Sequence, residues 1–225
     1  MQTLFEQPEL GLDDLAVIDE IRQIRASLAS VLRAPRRWTG GLRRTTQARA
    51  IQGSNSIEGY NVSDQDAAAA IEDEPPLSAD EQTWAEIIGY RRVLTYVLSV
   101  ASEPGFVVDE STIRSMHFML LEHELAKSPG RYRTGPIYVH DDRSDDNVYE
   151  GPVPDQVPSL MRLFTQGLAD TSGDAMVRGA LAHLNLVMIH PFRDGNGRMA
   201  RALQTMVLAQ DHVLEPTFCS IEEWL

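Results

Sequence analysis

Apolar residues recur at every third or fourth position along most of the chain, a spacing that predicts helices. Leu12, Leu15, Ile18, Ile21, Ile24, Leu28, Val31 and Leu32 form the first such stripe, and Pro35 predicts its end. A second helix is predicted from about Leu42 to Glu58, closed by Gly59. Ser63 is placed to cap a short alanine-rich helix ahead of Pro75 and Pro76. Ser78 and Glu81 have the spacing of a capping box for a long helix carrying Trp84, Ile87, Ile88, Leu94, Val97 and Leu98. Another helix follows Asp109, with Ile113, Met116, Leu120 and Leu121 facing inward.

Residues 129–153 break this rhythm. Pro129-Gly130 opens a turn, Ile137-Tyr138-Val139 is a short β-prone run, and Val148-Tyr149 is its return strand. Between them, the acidic stretch from Asp141 to Asp146 reads as a solvated hairpin tip. Helices resume near Asp155 and Gly173. The later one runs through Val177, Leu181, Leu184 and Met188 to His190, where Pro191 stops it. A final helix carries Met199, Leu203, Met206, Val207 and Leu208. The pattern therefore predicts an all-α chain with one short β-hairpin. An N-terminal helical region over 1–100 precedes a core over 101–225. Ser220 and Glu223 form one more capping box just before the sequence stops at Leu225, which predicts that the natural chain continues past 225.

Composition narrows the class without naming a chemistry. A chain of 225 residues, 43% of them hydrophobic, can bury a substantial core in one domain. The net charge of −13 argues against contact with a nucleic-acid backbone by this portion, since that requires a basic surface. The single cysteine, Cys219, excludes an internal disulfide and fits a reducing compartment. No apolar run approaches the roughly 20 residues that span a bilayer, and the start is acidic rather than signal-like. A cytoplasmic location, away from the membrane, is the expectation. Lys127 is the only lysine among many arginines, which reads as a compositional bias. His117, His123, His140, His183 and His212 lack the spacing of a zinc site and read as structural or surface residues.

The chemistry concentrates in residues 190–201, His-Pro-Phe-Arg-Asp-Gly-Asn-Gly-Arg-Met-Ala-Arg. A glycine-rich turn entering a helix offers unpaired backbone N–H groups and a positive dipole end to an anion. Arg198 and Arg201, three apart, share a helical face and can hold phosphate oxygens together. Asp194 is placed to hold a divalent cation against those oxygens. His190 is the histidine closest in sequence to this cradle, and neutral imidazole is the usual general base near pH 7.

This stretch resembles the Fic family signature, His-x-Phe-x-Asp/Glu-Gly-Asn-Gly-Arg-x-x-Arg, at every fixed position. The resemblance implies a mostly helical fold and transfer of AMP from ATP to a Ser, Thr or Tyr hydroxyl of a target protein. By that resemblance His190 is the base and Asp194 the ligand of Mg²⁺ (or Mn²⁺). Gly195, Asn196 and Gly197 form the nest for the α- and β-phosphates. Arg198 is the β/γ-phosphate contact, Arg201 the γ-phosphate contact, and Phe192 the buried anchor of the loop. The intact Gly-Asn-Gly-Arg differs from the wording of the branch that phosphorylates its target. Ser54-Asn55-Ser56-Ile57-Glu58-Gly59 resembles the family's inhibitory motif, Ser/Thr-x-x-x-Glu-Gly/Asn. In such relatives the glutamate pairs with the second motif arginine, here Arg201, and obstructs the γ-phosphate. The β-prone run at Ile137, Tyr138 and Val139 falls where the family has a flap that pairs with a target segment as an added strand.

The resemblance implies low basal turnover released by Glu58→Gly, and loss of transfer in His190→Ala. Two other readings stay open: removal of AMP with Glu58 orienting a water, alone or alongside transfer, and a nucleotide-sensing regulatory module. A donor other than ATP, such as UTP or CDP-choline, is compatible with a nest that reads phosphates. Tyr60 and Tyr138 are candidate acceptors for self-modification, and the N-terminal helices could support a homodimer.

Overall fold

The computed structural model describes residues 4–32, 39–140 and 147–213. The predicted stop at Pro35, the acidic tip at 141–146 and the capping box at Ser220 lie outside these residues. The chain runs α1 (Leu12–Leu32), α2 (Thr39–Ile57), α3 (Asp64–Ile71), α4 (Glu81–Val100), α5 (Glu110–Leu121), β1 (Tyr138–His140), β2 (Asn147–Glu150), α6 (Val157–Leu168), α7 (Ala175–Ile189) and α8 (Asn196–Gln210). The predicted all-α class with one hairpin is what forms.

Helix α8 is the axis of the fold. Met199, Ala200, Ala202, Leu203 and Met206 are completely enclosed, and this helix is buried nearly all round, with Asn196, Arg198 and Arg201 as buried polar groups at its start. It packs along α7, and α4 and the end of α2 close its other side. Ile87, Tyr90, Val93 and Val97 of α4 join Ile113, Met116, Leu120 and Leu121 of α5 in one continuous core that reaches from Ala48 to Ala209. A Cβ on Gly89 would lie 2.1 Å from the Leu120 carbonyl oxygen, so α4 and α5 touch backbone to backbone there. Removing a large apolar side chain from this core, as in Leu203→Ala, costs about 2–5 kcal/mol.

Helix starts mostly follow the predicted caps. Ser63 accepts from the Asp66 N–H at 3.0 Å, and Asp109 from the Thr112 N–H at 2.7 Å. The long helix α4 differs from expectation: Asp80, not Ser78, caps it, accepting from Thr83 at 2.7 Å. Ser78 is drawn away by a stronger claim. The buried Asp66 carboxylate accepts the Ser78 N–H at 2.9 Å and its hydroxyl at 2.6 Å, together with the Leu77 N–H and the Ser63 hydroxyl. Burial alone would raise the pKa of Asp66. Four hydrogen bonds outweigh that and hold it well below the usual carboxylate range.

The apolar stripe of α1 is only partly used. Ile18 is buried, whereas Leu12 is 86% exposed and Leu15, Ile24 and Leu28 are about half exposed. Periodicity reveals that a face is apolar, not that something covers it. Polar contacts anchor α1 instead: Arg22 pairs with Asp174 at 2.6 Å, and Arg25 donates to the His212 carbonyl at 2.5 Å.

The hairpin forms where the β-prone run sits. Its strands begin one residue later than Ile137, pairing Tyr138 with Glu150, Val139 with Tyr149 and His140 with Asn147, with a register shift between the last two pairs. Ile137 stays outside β1, but its carbonyl accepts the Gly151 N–H at 3.1 Å and closes the hairpin's stem.

Candidate active site

The loop between α7 and α8 brings the motif into one turn. His190 is the last residue before it, in the left-handed region at φ +48°, with its N–H bonded to the Leu186 carbonyl at 2.9 Å. Phe192 is fully buried and stacks on the His117 ring, centroids 3.7 Å apart. Asn196 folds back on the loop, its side chain both accepting from the Phe192 N–H and donating to the Phe192 carbonyl at 2.9 Å. Gly195 enters α8 at φ +75°, and a Cβ there would lie 2.9 Å from Leu120, so geometry and space both require glycine. Among the described residues no side chain caps α8, which leaves the N–H groups of its first turn for an anion.

His117 secures this loop from beneath. It accepts the Gly130 N–H at Nδ1 (2.8 Å), so its Nε2 carries the proton and donates to the Asp194 carbonyl at 3.0 Å. Desolvation pushes its pKa down to about 4, which keeps the ring neutral. For His190, Nδ1 donates to the Val187 carbonyl at 3.2 Å and Nε2 keeps a lone pair. Burial lowers its pKa against the opposing pull of that hydrogen bond, and the nearby Arg133 adds to the lowering. A neutral imidazole with an accepting Nε2 is the form a general base requires.

The two motif arginines face different surroundings. Arg198 turns into the protein: it is 1% exposed, salt-bridged to the enclosed Glu86, and its guanidinium carbon lies 5.4 Å from the Tyr60 ring centre. Its Nη1 is also 3.5 Å from Asn55 Oδ1. Glu86 further accepts the Tyr60 hydroxyl at 2.8 Å. Burial pushes the Glu86 pKa up, but the Arg198 charge and the hydrogen bonds from Arg198 and Tyr60 together outweigh it, and the carboxyl stays below its ordinary value.

Arg201 turns toward the end of α2. Its Nε donates to the Ser54 hydroxyl at 2.8 Å. Its Nη2 donates to the Ser54 carbonyl at 2.9 Å and to Glu58 Oε1 at 2.6 Å. That Glu58 oxygen also lies 2.3 Å from where a Cβ of Gly197 would be. The carboxylate therefore rests on the turn itself, at the positive end of α8. The residues singled out in the sequence thus converge: Ser54, Glu58, Asp194, Gly195, Asn196, Gly197, Arg198 and Arg201 share one neighbourhood, with His190 at its edge.

Asp194 is held from both sides. Its Oδ1 accepts the Gly195 N–H at 2.7 Å, and its Oδ2 lies 2.7 Å from Lys127 Nζ and 3.9 Å from Arg198 Nη2. Desolvation would raise its pKa, but Lys127 above all lowers it below the ordinary value. The one oxygen of Asp194 that faces cations suits a divalent ion. Among the described residues Glu86, His123 and Glu124 also bring ligand atoms within 4.8 Å of one another. Glu86 is already committed to Arg198, Tyr60 and Lys127, which makes this cluster a poorer cation site than Asp194.

Arg133 joins the hairpin to the loop. It donates to the carbonyls of His190 at 2.8 Å, Gly135 at 2.8 Å and Pro152 at 2.5 Å, and its own N–H bonds the Pro191 carbonyl at 2.9 Å. Tyr138 on β1 is 43% exposed, and the Tyr149 hydroxyl donates to the Met188 carbonyl at 2.5 Å. Sequence patterns did not single out Glu86, His117 or Arg133 for the site, and they gave Tyr60 only as a candidate acceptor and Asn55 only as a variable position of the inhibitory motif. Lys127 carried a signal that was read as bias: it is the chain's only lysine, and it lies in the site.

Comparison with known proteins agrees with this geometry. Residues 107–208 match the Fic/DOC family model, so this part of the chain is a Fic domain. It is 30% identical over 164 residues to "Protein adenylyltransferase Fic" of Nematostella vectensis, covering 70% of this chain and 36% of that protein. It is 31% identical over 127 residues to "Protein adenylyltransferase fic-1" of Caenorhabditis elegans, covering 55% of this chain and 24% of that one. The chain thus spans only about a third or less of these two relatives' length. Among solved structures, a Fic family protein from Desulfovibrio desulfuricans G20 superposes with a TM-score of 0.73 at 27% identity, over 92% of this chain and 61% of that one. A Fic domain containing signaling protein from Bacteroides thetaiotaomicron shares the fold at a TM-score of 0.76 and 23% identity, over 85% and 73%. Among the described residues no helix is long and apolar enough to cross a membrane.

Proposed function

We propose that this Fic-domain chain transfers AMP from ATP to a Ser, Thr or Tyr hydroxyl of a target protein, and that Glu58 holds the activity back. The names of the curated relatives support the reaction class. The observation that carries the autoinhibition is the Glu58 carboxylate, 2.6 Å from Arg201 and lying on Gly197. An anion already stands where a nucleotide phosphate would lie.

In this reading the phosphates lie over the turn of Gly195, Asn196 and Gly197, against the N–H groups of the first turn of α8. The target hydroxyl is aligned beside the hairpin. Nε2 of His190 takes its proton as the oxygen bonds to the α-phosphorus, and the bond to pyrophosphate breaks. Arg201 meets the charge that develops on the leaving group once Glu58 has released it. Arg198, held by Glu86, supplies positive potential to the β- and γ-phosphates from the protein side. A divalent cation such as Mg²⁺, held by Asp194, would neutralise phosphate charge. Positioning and electrostatics carry most of the acceleration.

The test is transfer of α-³²P-labelled AMP to lysate proteins and to the chain itself. Label that rises in Glu58→Gly and falls about 10²–10⁴-fold when His190→Ala is added supports the reading. Full labelling without His190, in a protein that still binds ATP, overturns the base assignment. A second reading has one observation in its favour: the Glu58 carboxylate at the mouth of the nest is also placed to orient a water for AMP removal. It expects Glu58→Gly to lose removal of AMP from a labelled target while gaining transfer.

A further inference from the structure

Lys127 sits among three carboxylates contributed by three parts of the chain. Its Nζ lies 2.7 Å from Asp194 Oδ2, 2.8 Å from Glu124 Oε2 and 3.4 Å from Glu86 Oε1, and the side chain is 20% exposed. Asp194 Oδ1 is already engaged with the Gly195 N–H, so Oδ2 is the oxygen left for a cation, and the ammonium holds it. An ammonium at hydrogen-bond distance and a divalent ion at coordination distance on one oxygen crowd each other and divide its electron density between them. They also repel each other at that range.

We propose that Lys127 is the resident cation of Asp194 and must give up Oδ2 before a divalent ion can take it, so that the chain without nucleotide binds such ions weakly. This rests on the reading of Asp194 as the metal ligand. The geometry provides for the exchange. Lysine has a long flexible stem. Glu124 and Glu86 both remain within reach of the ammonium, so it stays paired after leaving Asp194. Glu86 is balanced by Arg198 whatever Lys127 does. Without Lys127, Asp194 and Glu124, which both contact its ammonium, lose that compensating charge, and the negative potential left there attracts a divalent ion in the absence of any phosphate.

Binding of Mn²⁺ without nucleotide, followed by the electron paramagnetic resonance of the free ion, tests this. The proteins are wild type, Lys127→Met, Lys127→Arg, and the first two combined with Asp194→Ala, each checked for folding by thermal unfolding. Lys127→Met is expected to bind at least about tenfold tighter than wild type. Lys127→Arg, which keeps the charge, should stay within about threefold of wild type. Adding Asp194→Ala to Lys127→Met should abolish the gain. Equal affinities in wild type and Lys127→Met, both weakened by Asp194→Ala, overturn the competition while leaving Asp194 as the metal ligand. Affinities that ignore Asp194→Ala in both backgrounds overturn the ligand assignment and the competition with it.

Discussion

Arg198 and Arg201 leave the same helix one turn apart, and the protein treats them in opposite ways. Arg198 and its partner Glu86 are shut away, with side chains 1% and 0% exposed. Arg201 is nearly as buried, but its partner Glu58 is 26% exposed and stands just past the last residue of α2. A charge pair enclosed on all sides is a fixture, because removing either member strands the other in a medium that cannot solvate it. A pair with one face open to water can separate at small cost, since solvent replaces what is lost. The first arginine therefore belongs to the architecture, and the second stands in the pair that the proposed autoinhibition needs to separate.

The strongest way to break this contrast is to remove each acid in turn. Glu86→Ala is expected to destabilise the fold by about 3–5 kcal/mol in urea unfolding, and Glu58→Ala by about 1 kcal/mol or less. Equal losses would erase the distinction. Acid should next attack the fixed side through His117, whose desolvation lowers its pKa from 6.5 to about 4. The unfolded chain takes up this proton first, so stability is full above pH 6.5 and falls as pH drops toward 4, then levels. The total is on the order of 3 kcal/mol. His117→Gln, measured over the same range, should flatten that slope. Smaller again is Ser54→Ala, which removes the hydroxyl at Arg201 Nε and should cost about 1–2 kcal/mol. It should also raise AMP transfer part of the way toward Glu58→Gly. A Ser54→Ala protein with unchanged transfer would mean that Glu58 alone sets the control.

How much of this was readable in the sequence depends on whether the partners are near in the chain. The motif from His190 to Arg201 is local, so its loop, nest and helix start could be anticipated residue by residue. Glu58 was reachable because it carries a spacing of its own with Ser54 and Gly59. Glu86 and His117 could not be found that way. Each occupies an ordinary helical position, and its meaning comes from groups up to 112 positions away, Glu86 with Arg198 and His117 with Asp194. Lys127 was visible as a singularity of composition but not as a place. The cap of α4 shows the same limit at short range. Ser78 has the right spacing, yet a buried aspartate on the preceding helix competes for it, and Asp80 takes over. The stripe on α1 was read correctly as periodic, but how little of it the fold covers depends on tertiary packing that periodicity does not contain.

One guanidinium has a mechanical consequence. Arg133 holds the carbonyls of Gly135 and Pro152, on either side of the hairpin's stem, and with the same planar fork the carbonyl of His190. Anything laid along β1 or β2 is thereby referenced to the same rigid plate as the imidazole that would act on it. Thermal displacement of that plate carries hairpin and imidazole together, so the error it introduces is common to both and cancels in the distance between them. The accuracy of that distance is set by the side chain that joins them rather than by the stiffness of the surrounding helices.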